Sequence, residues 1–133
     1  PAPNRGRDRI LFVEDDEDQL LTIPRVLAQL GHEVTARGSP LEALAVLAAA
    51  PAAFDVLITD FDMPEVNGLE LARRAAKIAP ALPVVLVSGR LGDIEDLKLA
   101  GNIQKVVLKP YNQAIISAAI REVLDAKKQT TAP

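Results

Sequence analysis

The sequence contains no cysteine. That removes disulfides, thiolate zinc sites and cysteine nucleophiles together. Its one histidine is His32, so a His-rich metal site or a Ser-His-Asp triad would have to rest on that residue alone. No apolar run approaches the ~20 residues that a membrane helix needs. No secretory signal is visible, and no P-loop for ATP. Basic residues do not dominate either. The net charge is −3, which gives no nucleic-acid footprint over the whole surface. Internal repeats are missing, and low complexity is confined to an Ala-rich stretch near residue 49 and the two tails.

What remains is an ordinary globular composition. Of 133 residues, 49% are apolar and 25% charged, enough for one domain with a single core. The chain starts "PAPNRGRDR" without methionine. That start reads as a linker or cut edge over residues 1–8, with the domain at 9–128 and a disordered tail at 129–133.

Five short apolar, β-branched runs stand out: "ILFV" (10–13), "EVTA" (33–36), "FDVLIT" (54–59), "PVVLVS" (83–88) and "KVVL" (105–108). Such runs suit strands buried on both faces. Helical patterns separate them. The first spans Asp18 to Leu30 and closes at Gly31, a cheap left-handed cap; Pro24 predicts a kink inside it. The second opens with "SPLE", where Ser39 caps, Pro40 takes the first helical position and Glu42 completes a capping box. The third opens with "NGLE", with Asn67 as its cap. The fourth is short, about Asp93 to Ala100. The last runs from Asn112 to about Lys128, with Ile116, Ala119, Ile120 and Val123 on one face. Strand and helix alternate five times, which predicts an α/β domain: a parallel sheet with helices on both faces.

Ligands of open parallel sheets bind beyond the carboxyl ends of the strands, so the residues after each run matter most. Glu14-Asp15-Asp16 follow the first, Thr59-Asp60 end the third, Ser88 ends the fourth and Lys109-Pro110 follow the fifth. A single acid there is usually a helix cap or turn former. Asp16, Glu17 and Asp18 fit that description as first-turn acids at the positive helix end, and His32 reads as a surface turn residue. The joint placement points to a site instead. Crowded carboxylates raise each other's pKa values unless a cation joins them. Hard oxygen donors without Cys or His suit Mg²⁺, or Mn²⁺. A lysine and a hydroxyl opposite them suit a phosphoryl group, which the remaining carboxylate can accept as nucleophile.

The segments "ILFVEDDE", "DVLITDFDMPEVNG", "VVLVSG" and "LKP", in this order and spacing, resemble the receiver domain of bacterial two-component response regulators. The resemblance covers about Arg9 to Lys127. It implies a flavodoxin-like, three-layer fold with a five-stranded parallel sheet in order 2-1-3-4-5 and five helices, an order for which a chemotaxis receiver is a standing example. It implies Asp60 as phosphoacceptor. Asp15 would bind Mg²⁺ directly, Glu14 would help through a water, and the Asp62 backbone carbonyl would be a further ligand. The pair Asp15–Asp16 competes with Glu14–Asp15, but the two acids directly after the strand fit the family better. Ser88 would hydrogen-bond the phosphoryl group and act as switch, and Lys109 would pair with its charge. Pro110 commonly follows a cis peptide in this family. Pro64 to Gly68 would form the turn that starts the third helix. Asp62 and Arg90, each two residues after a site residue, would pair over the rim and shield the acyl phosphate.

One departure is visible. Val106 stands where receivers usually carry the aromatic half of the switch. The implied partner is a sensor histidine kinase or histidine phosphotransfer domain, with no direct nucleic-acid or membrane contact. The resemblance admits a homodimer and implies a cytoplasmic setting. The "VSG" ending points to receivers of hybrid histidine kinases. No kinase motif is present, so any catalysis is autocatalytic phosphorylation and dephosphorylation. Two rival readings remain: a degenerate receiver serving only as an interaction module, and a Mg²⁺-dependent nucleotidyl-transfer domain of the topoisomerase–primase type. The Lys-Pro after the fifth strand and the "MPEVNG" turn argue against the second.

Overall fold

Each apolar run forms a strand. The computed structural model describes residues 8–89 and 101–131, and the side chains of all but 127–131. The elements are β1 (Arg9–Val13), α1 (Glu17–Gln29), β2 (Glu33–Arg37), α2 (Pro40–Ala49), β3 (Val56–Asp60), α3 (Gly68–Ile78), β4 (Val84–Ser88), β5 (Ile103–Leu108) and α4 (Gln113–Thr131). The helix expected at 93–100 lies outside the described residues. All strand pairs are parallel, in the order β2-β1-β3-β4-β5. This is the flavodoxin-like order expected.

Strand periodicity divides the core in two. Leu11, Val13, Leu57, Val84 and Leu86 point to one face and pack with Leu71, Ala72 and Ala75 of α3 and Ala43 and Leu47 of α2. Ile10, Phe12, Val56, Ile58, Val85 and Val87 point to the other, against Leu27 of α1 and Ile116, Ile120 and Val123 of α4. Successive residues face opposite sides, so a central strand with helices on both faces must be apolar throughout. Every residue of β3 and β4 is buried. β2 is different: Glu33 is exposed and its other residues are half-buried. It is an edge strand, not one buried on both faces.

The caps explain the boundaries. Asp16 caps α1, its Oδ1 accepting from the N–H groups of Asp18 (2.9 Å) and Gln19 (3.1 Å). Ser39 caps α2 through Leu41 and Glu42, Asn67 caps α3 through Glu70, and the Asn112 side chain accepts from Ile115 N–H. α1 continues through Pro24 and closes in a Schellman motif: Gly31, at φ 99°, donates to Ala28 and His32 donates to Leu27. Two ends differ from expectation. Asp8 belongs to the fold, since its carbonyl accepts from Glu33 N–H at 2.9 Å. α4 runs on to Thr131, past the boundary expected at 128.

Candidate functional site

Parallel register builds the site. Val13 pairs with both Arg37 and Thr59, Asp60 pairs with Val87, and Ser88 with Leu108. The residues that follow β1, end β3 and β4, and follow β5 therefore meet at one sheet edge. Backbone bonds lock them there: Glu14 N–H donates to Arg37 O (3.1 Å), Phe61 N–H to Val87 O (2.8 Å) and Lys109 N–H to Ser88 O (2.9 Å).

Among the described residues four polar ones are buried, and three of them, Glu14, Asp60 and Ser88, were marked from sequence; Thr59 is the fourth. Thr59 donates its hydroxyl to Asp60 O at 3.0 Å. Lys109 Nζ lies 2.9 Å from Asp60 Oδ1 and 3.9 Å from Glu14 Oε1. One oxygen from each of Glu14, Asp15 and Asp60 lies within 4.8 Å of the others. Asp15 is exposed, so this trio opens to solvent on one side. Asp16 points away into the helix cap. The geometry therefore separates the acids: Glu14 and Asp15 face Asp60, and Asp16 satisfies α1.

Electrostatics follow from burial. The Glu14 carboxyl is pushed up to about 7, first by burial and then by the Asp60 charge. Burial also raises Asp60, with the Lys109 hydrogen bond opposing. For Lys109, burial works downward, but the hydrogen bond and charge of Asp60 outweigh it and hold the ammonium above its usual value. The cluster carries three carboxylates against one ammonium, an imbalance that a divalent cation would relieve. The donors are hard carboxylate oxygens without thiolate or imidazole, which suits Mg²⁺ or Mn²⁺.

The loop after β3 is shaped by its glycine. A Cβ on Gly68 would stand 2.6 Å from Leu86 Cδ1 and 2.9 Å from Phe61 Cα, and closer still to the Asp60 carbonyl oxygen. Gly68 N–H donates to Phe61 O at 2.8 Å. Between them, Val66 N–H donates to Pro64 O at 2.8 Å, and Glu65 takes the left-handed conformation at φ 73°. Asp62 is exposed. The Lys109–Pro110 peptide is cis. Val106 is half-buried beside the α3 face of the core. Arg90, and with it the expected Asp62–Arg90 pair, lies outside the described residues.

Sequence reasoning missed Tyr111. Its ring packs on the α1–α4 core, and its hydroxyl is pushed up to about 12 by burial, then by Glu14 and Asp60. The available signal was its place directly after Lys109-Pro110.

A family model described as the response regulator receiver domain matches residues 10–121. Response regulator receiver protein CpdR of Brucella abortus is 40% identical over 122 residues, covering 89% of this chain and 98% of that protein. Sensor kinase CckA of the same species is 27% identical over 121 residues, 90% of this chain but 13% of the kinase. A response regulator receiver domain protein from Clostridium thermocellum superposes with a TM-score of 0.84 at 28% identity, over 93% of this chain and 99% of that one.

Proposed function

The chain belongs to the response regulator receiver family of two-component signalling, and from that premise we propose that Asp60 is its phosphoacceptor. The observation that carries this is the ion pair of a buried Asp60 with Lys109 at 2.9 Å, beside Glu14 and Asp15. Asp60 ends a fully buried strand, so its carboxylate is held rigidly for in-line attack on phosphorus. In that step a carboxylate oxygen forms the new O–P bond, the N–P bond of a phosphohistidine breaks, and the histidine nitrogen takes a proton. Lys109, 2.9 Å from Asp60 Oδ1, would pair with the equatorial phosphoryl oxygens, where charge gathers. Ser88 is buried at the end of the neighbouring strand, where its side chain can turn to the phosphoryl oxygens.

Glu14, Asp15, Asp60 and the Asp62 carbonyl would hold Mg²⁺ or Mn²⁺, Glu14 through a water. Once bound, the ion supplies positive charge to the phosphoryl oxygens. Phosphorylation shifts a pre-existing equilibrium of the interaction face, and Val106 leaves that shift without a swinging ring. Water then hydrolyses the acyl phosphate at the same site. The donor class is a sensor histidine kinase or a histidine phosphotransfer domain in the bacterial cytoplasm. Among the described residues no helix is long and apolar enough to cross a membrane. The match to one stretch of a sensor kinase supports a hybrid-kinase parent.

The test is a phosphate-affinity gel of wild type and Asp60→Asn after incubation with Mg²⁺ and acetyl phosphate. Wild type shifts and the variant does not. A wild type that never shifts overturns the reading in favour of an interaction module.

A further inference from the structure

A cleft lies at the opposite end of the domain from the acid cluster, where β2 begins. It is bounded by Leu30 at the end of α1, by His32, and by Ser117, Ile120, Arg121 and Leu124 of α4, with a volume of about 340 Å³. We propose that this cleft binds a small organic carboxylate, held by Ser117 and Arg121 beside the His32 ring and over an apolar floor.

Three observations carry this. The Ser117 hydroxyl oxygen is buried and has no hydrogen-bond partner. Buried hydroxyls are normally satisfied, so the cleft lacks an acceptor that belongs there. Arg121 stands four residues on, on the same helix face. It is exposed, and no ion pair to it is formed among the described residues. The His32 side chain is 8% exposed, and its Nδ1 is 3.7 Å from Asp8 Oδ2, beyond hydrogen-bonding distance. With Nδ1 turned toward Asp8, the ring serves as a wall of the cleft and not as a donor to the ligand.

The donors select the charge and the walls select the body. A guanidinium and a hydroxyl one turn apart suit the two oxygens of a carboxylate. Leu30, Ile120 and Leu124 offer no partner to a bare inorganic ion but cover a short hydrocarbon. His32 sits below its ordinary pKa because of burial, with Arg121 adding to the effect and Asp8 opposing it.

The experiment is a titration of the isotope-labelled chain with sodium butyrate, followed by amide shifts. Butan-1-ol, sodium chloride and sodium phosphate serve as matched controls. The expected result is saturable shifts at His32, Ser117 and Arg121 with butyrate, weakened about tenfold or more in Arg121→Ala and in Ser117→Ala, each losing a hydrogen bond to a charged group. Both substitutions are to a good helix former, and unchanged shifts elsewhere check their folds. Equal binding of butanol or chloride, preferred binding of phosphate, or unchanged affinity in Arg121→Ala overturns the proposal.

Discussion

Replacing Glu14 with Gln tests the electrostatics of the acid cluster without touching the acceptor. Glu14 is 2% exposed, and its carboxyl titrates near 7 instead of 4.5, chiefly through burial and the Asp60 charge. The folded state therefore holds a proton that the unfolded chain releases. The sign follows: this group costs nothing below pH 4.5, and stability falls as pH rises to about 7, where the loss levels off. At 1.36 kcal/mol per pH unit, the gap between 4.5 and about 7 amounts to an upper limit of about 3 kcal/mol. Glutamine keeps the shape and the oxygen that accepts from Asp16 N–H, but carries no charge. Urea unfolding in a chelator should show the variant about 2–3 kcal/mol more stable than wild type at pH 8.5 and equal to it at pH 4. Mg²⁺ should narrow that difference by stabilising wild type more. A variant equal to or less stable than wild type at pH 8.5 would refute the reasoning.

Three further outcomes follow from the geometry. Gly68→Ala should lower stability by about 1–3 kcal/mol, because the added Cβ meets the Asp60 carbonyl and Leu86; it should also slow phosphorylation, and both are read by thermal melting and a gel shift. Asp16→Ala removes the cap on α1 and should cost about 1 kcal/mol in urea, while leaving metal affinity unchanged, since Asp16 does not face Asp60. The His32 ring, followed by NMR, should titrate below 6.5. Its contribution to stability should be complete above 6.5 and be lost as pH falls through the folded value, a slope that His32→Gln removes.

The sheet edge was legible because parallel strands expose chemistry only at their carboxyl ends. Four polar strand ends in the right order sufficed to mark Glu14, Asp15, Asp60, Ser88 and Lys109. The order of the acids was harder. Five consecutive acids, Glu14 to Asp18, look alike by type, and only backbone conformation decides which becomes the cap. Asp16 takes extended φ and ψ and accepts two N–H groups, which leaves Glu14 and Asp15 as the acids beside Asp60.

His32 was misjudged for a similar reason. A residue after Gly31 looks like a surface turn. Here the Schellman turn carries the chain into β2, and Asp8 comes from a segment read as linker to cover the ring. Such contacts join residues far apart in sequence and leave no local pattern. Ser117 lies on the flank of a helix whose apolar stripe is clear, and no sequence spacing reveals that its hydroxyl is buried without a partner.

The central claim is the identity of the phosphorylated residue. Borohydride reduction of an aspartyl phosphate converts that aspartate to homoserine, which peptide mass spectrometry locates. After incubation with Mg²⁺ and acetyl phosphate, homoserine is expected at residue 60, absent when the metal is chelated. Homoserine at Asp15 or Asp62 instead, or at no position, would contradict the assignment.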